Sequence, residues 1–167
     1  QKIAIVSPKP QTTRNRLMGI LTQEDLQIIF TDTPGIHKPK HRLGEALVAA
    51  ATEALSEADA VLWVVDVSDR PNDEDLQVAE ALALLPAASP IILCLNKMDK
   101  LPAARLQAQV DAYAELAPQA AWMLVSATRG ENLDRLLLLV KETLPFGPRF
   151  YPEDQVTDQQ ARFMAAE

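Results

Sequence analysis

One stretch of the sequence constrains the fold more than any other, an apolar run that ends abruptly in a polar segment. Residues 91–95 read Ile-Ile-Leu-Cys-Leu, and residues 96–99 read Asn-Lys-Met-Asp. The run is too short for a helix and is apolar at every position, so it predicts a strand buried on both faces. In open α/β sheets, ligands bind at the carboxyl ends of such strands. Residues 96–99 therefore mark a candidate binding site.

Asp99 has the most specific chemistry in this segment. Its carboxylate can accept two parallel hydrogen bonds, and the edge of guanine offers two donors, the ring N–H and the exocyclic amine. Adenine presents an acceptor and a C–H there and would leave a buried carboxylate unpaired, a mismatch that discriminates strongly between ligands. The stem of Lys97 can lie across a purine face, and Asn96 is expected to link neighbouring loops. A solvated turn after a buried strand is the alternative interpretation.

Strands alternate with helices along the rest of the chain. Strands are predicted at residues 2–6, 60–66 and 122–125, and strands at 16–21 and 27–30 form a hairpin that turns at 22–25. Helices are predicted at residues 44–56, from 72 or 73 to 85, at 102–116 and at 131–144, with another opening at Thr157 or Asp158. This alternation predicts an α/β fold with a mainly parallel sheet.

Two of these elements allow more detailed predictions. The strand at 60–66 is apolar up to its last residue and is expected to be buried on both faces. Asp66 and Asp69 are interpreted as cap and turn residues rather than as catalysts. The buried stripe of the second helix is assigned to Leu76, Ala79 and either Leu82 or Ala83.

Two further motifs follow predicted strands. Residues 32–35 read Asp-Thr-Pro-Gly, and an Asp at a strand end can hold Mg²⁺ through water while the glycine N–H contacts a terminal phosphate. Residues 126–128 read Ser-Ala-Thr, and small residues there let backbone amides approach a base carbonyl such as guanine O6. An Asx-type turn also explains the first motif. In combination with residues 96–99, however, both motifs favour a nucleotide site.

Composition is that of an ordinary globular domain. A length of 167 residues is enough for one domain with a real core, and a net charge of −7 disfavours non-specific binding to nucleic acid. The single cysteine, Cys94, lies in the predicted buried strand, which predicts an inert core thiol and a reducing, cytoplasmic location. We find no apolar run of bilayer-spanning length and no basic-then-apolar leader in the sequence, and expect a soluble protein.

Taken in order, these motifs resemble those of the translation-factor-like GTPases, and within that class the Era family of ribosome-assembly GTPases. The resemblance covers essentially the whole chain. The segments that carry it are residues 7–14, 32–35, 96–99, 126–128, 150–154, 157–158 and 162–164. The segments near the two ends are more specific than the general GTPase motifs.

The resemblance implies a three-layer P-loop GTPase fold, GTP or GDP and Mg²⁺ as cofactors, and GTP hydrolysis coupled to maturation of the small ribosomal subunit. Catalytic roles would fall to Thr13, Asp32 and Gly35. Thr13 (or its neighbour Thr12) and Asp32 would meet Mg²⁺. The nucleotide-binding residues implied are Thr12, Thr13, Asp32, Pro34, Gly35, Asn96, Lys97, Asp99, Ser126, Ala127 and Thr128. Among these, Asn96, Lys97 and Asp99 would read guanine.

The resemblance also assigns the two switch segments, at residues 7–17 and 33–45, which GTP would order and hydrolysis would release. Ile36 stands where Ras-like GTPases carry a water-orienting glutamine. An apolar side chain cannot orient water, so intrinsic turnover is expected to be slow or to depend on another group.

The sequence departs from the family in two ways. It contains no Walker A motif, since none of its five glycines precedes Lys-Ser or Lys-Thr, and the family's first strand, phosphate loop and first helix have no counterpart in it. A KH-type RNA-binding domain has no counterpart either. Residues 1–147 are therefore interpreted as an incomplete GTPase domain, and residues 148–167 as a linker with the start of a helix leading to a KH domain.

These departures have expected consequences. We expect a chain without the central first strand to be destabilised, and one without the phosphate loop to hold GTP weakly and to be inactive alone. The implied partners are the small ribosomal subunit and its 16S rRNA, through the KH domain, and peripherally the inner face of the membrane; DNA is not one of them. Two alternatives stay open: a degenerate GTPase fold that serves as an interaction module without nucleotide, and an ATP-type P-loop enzyme, which Asp99 disfavours.

Overall fold

Within the part of the chain that the computed structural model describes, the apolar run at residues 91–95 lies in the middle strand of a three-stranded parallel sheet. The structure describes residues 17–32, 55 and 57–157. These residues fall into two units, the first made of residues 17–32 and 146–157 and the second of residues 55 and 57–145.

The described elements follow the predicted alternation of strands and helices. The strands are β1 (Leu17–Gln23), β2 (Leu26–Asp32), β3 (Val61–Asp66), β4 (Ile91–Asn96) and β5 (Ala121–Leu124). The helices are α1 (Asp73–Ala83), α2 (Leu106–Ala114) and α3 (Leu133–Thr143), and 3-10 turns cover Met98–Lys100 and Ala103–Arg105. Within the described ranges, no helix combines the length and the apolar character needed to cross a membrane.

Strand β4 lies between β3 and β5 and runs parallel to both, with Val61 opposite Ile91 and Ile92 opposite Ala121. All five of its apolar residues are buried. One face of the sheet packs against α1 and α2 in a single hydrophobic cluster. Because its backbone is paired on both sides and its side chains are covered, β4 is the strand that the apolar run predicts, and the α/β fold with a parallel sheet is confirmed.

Strand β3 is buried on one face only, so the prediction that it is buried on both faces is wrong. Trp63 and Val65 are buried, whereas Val64 is 54% exposed. Successive side chains of a strand point to opposite faces, and α1 and α2 cover only the face that carries Trp63. Among the described residues, β3 pairs with β4 alone.

Cys94 is buried in β4, as expected for a core thiol. Its side chain is 3% exposed, and burial raises the pKa of the thiol to about 11. The thiolate is the reactive form of cysteine. The predicted inert core residue is therefore confirmed.

Helix α1 begins where the sequence indicated but buries a narrower stripe. Asn72 is its N-cap, and the side chains of Asn72 and Asp75 form a reciprocal capping box. Ala79 and Leu82 are buried, but Leu76 is 44% exposed, so its assignment to the stripe is wrong. With 3.6 residues per turn, Leu76 lies about 120° around the helix from Leu82 and therefore off the buried face.

The other predicted elements agree in type and shift at their ends. The strand expected at 122–125 is β5, which begins one residue earlier, and the final helix expected at 131–144 is the shorter α3. Pro102 itself is extended, with φ −61° and ψ 136°, and the chain after it forms a 3-10 turn before α2. Outside the described residues lie the predicted strand at 2–6, nearly all of the predicted helix at 44–56 and the predicted helix beyond Thr157.

The first unit is an antiparallel hairpin of β1 and β2 with residues 146–157 alongside. The hairpin turns at residues 24–25 only, so both strands are longer than predicted. Residues 156–157 bond to β1, where Ile20 N donates to Val156 O at 2.9 Å and Thr157 Oγ1 donates to Met18 O at 2.8 Å. The segment predicted as a linker is thus hydrogen-bonded to the hairpin near both ends of its described length, at residues 149–151 and 156–157.

Gln27 on β2 fastens the start of this segment. Its Nε2 donates to Tyr151 O at 2.9 Å, and its Oε1 accepts from Phe150 N at 2.8 Å and Tyr151 N at 3.0 Å. The Arg149 guanidinium adds hydrogen bonds to the carbonyls of Gln23 and Glu24 in the hairpin turn. One side chain therefore satisfies three backbone groups of a segment that has no secondary structure of its own.

We predict that Gln27→Leu loosens residues 150–151 from the hairpin. Leucine keeps the size of the side chain but loses all three hydrogen bonds to the segment, at a cost of about 1 kcal/mol for each bond. It also loses the hydrogen bond from Gln27 Nε2 to Thr22 Oγ1 within the hairpin. Amide hydrogen exchange at Phe150 and Tyr151 should become faster. Gln23→Leu, an exposed change on the same hairpin, is the control; equal exchange rates in the two variants would contradict the anchoring role.

Candidate functional site

The chain leaves β4 through a residue with an uncommon backbone conformation. Lys97 has φ 64° and ψ 30°, in the left-handed region, and the 3-10 turn at Met98–Lys100 follows it. Few residues other than glycine adopt this conformation, and those that do are concentrated at functional sites. The polar segment predicted from the sequence is therefore a tight, defined turn rather than an open loop.

The side chain of Asn96 links this turn to the loop after β5. Its Oδ1 accepts hydrogen bonds from Lys97 N at 2.8 Å and from Ala127 N at 3.1 Å. A backbone bond from Met98 N to Val125 O, 3.1 Å long, joins the same two loops. The expectation that Asn96 links neighbouring loops is confirmed.

The carboxylate of Asp99 meets Ser126 across this link. Ser126 Oγ donates to Asp99 Oδ1 at 2.7 Å, and Ser126 has no exposed surface. Reciprocal backbone bonds with Glu131, both 3.1 Å, hold Ser126 in place. Thr128 Oγ1 lies 3.3 Å from the same hydroxyl. The hydrogen bond from Ser126 lowers the pKa of Asp99 and outweighs the opposite effect of burial.

Arg129 is a member of the site that the sequence did not indicate. Its Nε lies 3.8 Å from Asp99 Oδ2, and its Nη1 lies 3.7 Å from Glu131 Oε1. Both distances are too long for hydrogen bonds, and the Arg129 side chain is 59% exposed. The arginine contributes positive potential beside the carboxylate without occupying it through a direct bond.

Lys97 forms the shortest ion pair described at the site, with Asp66 at the end of β3. Its Nζ lies 2.5 Å from Asp66 Oδ2. Asp66 Oδ1 accepts from Ser68 N at 3.1 Å and from Ser68 Oγ at 2.6 Å, which confirms its turn role. Burial raises the pKa of Asp66, but the hydrogen bonds from Lys97 and Ser68 together lower it below its ordinary value. The sequence did not predict the pairing with Lys97, because that pairing depends on the register of β3 against β4.

The arrangement suits a ligand that offers two adjacent hydrogen-bond donors. A carboxylate accepts only, at about four lone-pair positions, so the bond from Ser126 leaves Asp99 with unused capacity. The side chain is about nine-tenths buried, at 11% exposure, so a ligand that presented an acceptor there would leave a costly unpaired charge.

The residues predicted on the phosphate side are only partly described. Thr12, Thr13, Pro34 and Gly35 lie outside the described residues. Asp32 is the last residue of β2, opposite Leu17 at the open end of the hairpin, and is exposed. Across residues 17–32 and 57–157, no group of three His, Cys, Asp or Glu side chains could hold a metal ion.

The profile of the family described as "50S ribosome-binding GTPase" matches residues 1–97. The chain belongs to this GTPase family. It is 42% identical to the GTPase Era of Clostridium botulinum and 46% identical to that of Alkaliphilus oremlandii, in each case over all 167 residues. The predicted resemblance to the Era family is confirmed.

A solved structure of Era in complex with MgGDPNP and nucleotides 1506–1542 of 16S ribosomal RNA is also similar. It superimposes with a TM-score of 0.87 and 35% identity, over 99% of this chain. The chain spans 56% of that structure and 56% of each of the two curated relatives.

We predict that Ser126→Ala raises the pKa of Asp99 toward its ordinary value. The Ser126 hydroxyl favours the ionised carboxylate, so its contribution to folding is complete above the unfolded-state pKa and is lost as pH falls through the lower folded-state pKa. NMR titration of the side-chain carboxyl carbons measures both aspartates of the site. Ser68→Ala is the reciprocal control, since it should move the titration of Asp66 and leave Asp99 unchanged; an unmoved Asp99 in Ser126→Ala would contradict the assignment.

Proposed function

We propose that the complete protein is a guanine-nucleotide-binding GTPase that acts in maturation of the small ribosomal subunit and its 16S rRNA. The observation that carries this proposal is the Asp99 carboxylate, oriented by buried Ser126 and linked through Asn96 to the loop after β5. Membership of the GTPase family and 35% identity to an Era bound to MgGDPNP support the same conclusion.

The base-binding step follows from the acceptor chemistry of Asp99. Guanine would place its ring N–H and its exocyclic amine against the carboxylate, while Ser126 keeps the carboxylate ionised and fixed. Lys97 is 43% exposed, so part of its side chain is accessible to a purine. The amide of Ala127, expected near guanine O6, donates instead to Asn96, so it would have to turn toward the base on binding.

The phosphate-binding step is proposed for Thr12, Thr13, Asp32, Pro34 and Gly35. The acidic groups of the described residues do not assemble a metal site by themselves. Any Mg²⁺ would therefore rely on Thr13, on Asp32 through water and on the nucleotide's own phosphates. When bound, the ion neutralises charge on the terminal phosphates.

RNA recognition is proposed for a KH-type domain of the complete protein rather than for this chain. A net charge of −7 leaves the chain poorly suited to non-specific contact with the phosphate backbone of RNA. The description of the matching family names the 50S subunit, whereas the similar Era structure contains 16S ribosomal RNA. We favour the small subunit because that structure aligns over 99% of the chain.

The buried thiol of Cys94 supports a reducing, cytoplasmic location. Contact with the inner membrane face has no support in the described residues or in the relatives' names.

An interaction module that binds no nucleotide is the second candidate. The hydrogen bond from the Ala127 amide to Asn96, which occupies a donor expected near guanine O6, favours it, whereas the oriented carboxylate of Asp99 favours the GTPase.

Calorimetric titration of GDP with Mg²⁺ tests the choice between these two functions. The 167-residue chain and the product of the complete reading frame are compared side by side. We expect the complete product to bind tightly and the 167-residue chain at least about 100-fold more weakly. The difference would come from hydrogen bonds between a phosphate loop and the nucleotide, since charged hydrogen bonds to phosphates contribute about 1.5–3 kcal/mol each. If the complete product does not bind GDP, the interaction module replaces the enzyme.

We predict that Asp99→Asn changes which base the complete protein prefers. Asparagine keeps the acceptor for Ser126 but turns the other oxygen into a donor, so guanine loses its partner and the C2 carbonyl of xanthine gains one. GDP affinity should fall roughly 10- to 100-fold relative to XDP, which competition against a fluorescent nucleotide measures. Asp134→Asn, an exposed change on α3, is the matched control. An unchanged GDP-to-XDP ratio in Asp99→Asn would remove Asp99 from the base site.

A further inference from the structure

Asp66 stands beside the base-reading segment without belonging to it. It is the last residue of β3 and lies opposite Asn96 in the parallel register. Its two oxygens have different partners, because Oδ2 pairs with Lys97 Nζ at 2.5 Å and Oδ1 accepts the two hydrogen bonds from Ser68. The carboxylate therefore connects the end of β3 with the side chain of Lys97, the residue that follows β4.

Asp66 is the rigid partner of this pair. Its backbone carbonyl accepts a hydrogen bond from the hydroxyl of Tyr113 at 3.2 Å, and Tyr113 is 2% exposed on α2. The next residue, Val67, donates its N–H to Asn96 O at 3.0 Å. Lys97 has a flexible four-carbon stem and ends in a compact charge. The ion pair therefore fixes the lysine on the aspartate rather than the reverse.

The ion pair contributes little to folding. Its side chains are 43% and 36% exposed, and exposed pairs of this kind have small effects on stability. A long side chain that is already fixed, however, loses less conformational freedom when a ligand packs on it. The left-handed backbone of Lys97 sets the direction in which this side chain leaves the turn.

We propose that Asp66 is a positioning residue for the guanine base: it holds the stem of Lys97 in place, ready to cover the purine face that Asp99 binds by its edge. This inference rests on the proposed function, in which the ligand is a guanine nucleotide. The ion pair between Asp66 and Lys97 would affect how long the nucleotide stays bound and not the hydrolysis step.

Dissociation of fluorescent GDP from the product of the complete reading frame tests the proposal. Asp66→Asn keeps the shape of the side chain but removes its charge, and should speed dissociation about 3- to 10-fold, the effect of freeing one long side chain. The rate of GTP hydrolysis in a single turnover should stay unchanged, because that rate does not include GDP release. The GDP-to-XDP preference should also stay unchanged, since Asp99 is untouched. Asp69→Asn, an equal loss of charge in the same turn without contact to Lys97, is the control.

A double-mutant cycle shows whether Asp66 acts through Lys97. Lys97→Met retains most of the stem but cannot pair, so it should dissociate GDP as fast as Asp66→Asn, and the double variant should be no faster. If Asp66→Asn does not fold, the GDP dissociation rate of Lys97→Met alone still tests whether the ion pair slows dissociation. Wild-type rates in Lys97→Met, or additive effects in the double variant, would overturn the inference while leaving the proposed function intact. If the wild-type protein does not bind GDP, both fail together.

Discussion

The hydrogen bonds of the Asn96 side chain hold the site together at the point where β4 ends. Within the sheet, the backbone of β4 is paired on both sides, but beyond Asn96 the chain turns away and its amides need other acceptors. Asn96 Oδ1 accepts from one of these amides, at Lys97, and also from the amide of Ala127 in the loop after β5. The loops after β4 and β5 are thereby kept at a fixed separation, and Asp99 can meet Ser126 at 2.7 Å.

Two aspartates in the second unit show how similar surroundings produce different roles. Each is held by a serine hydroxyl, Asp66 by Ser68 at 2.6 Å and Asp99 by Ser126 at 2.7 Å. The difference lies in the nearest cation, since Lys97 pairs closely with Asp66 whereas the cation nearest Asp99 stays beyond hydrogen-bond distance. One carboxylate is therefore neutralised within the protein, and the other keeps a charge that a ligand can use.

The sequence was sufficient for features that depend on local pattern. A continuous apolar run defined β4, and a polar segment at its end located the candidate site, because period and length decide such elements. Contacts between distant residues were not predictable. The pairing of Lys97 with Asp66 depends on the register of β3 against β4, and the anchoring of Tyr151 by Gln27 joins residues 124 positions apart. Which face of β3 is covered likewise depends on where the helices pack.

The burial of Cys94 gives the protein a built-in reporter of its own breathing motions. With a pKa of about 11 and 3% exposure, the thiol is almost entirely protonated and shielded in the folded protein at neutral pH. A thiol reagent can reach it only when the structure around β4 opens. Because Cys94 is the single cysteine of the sequence, its alkylation reports that local opening without any introduced label.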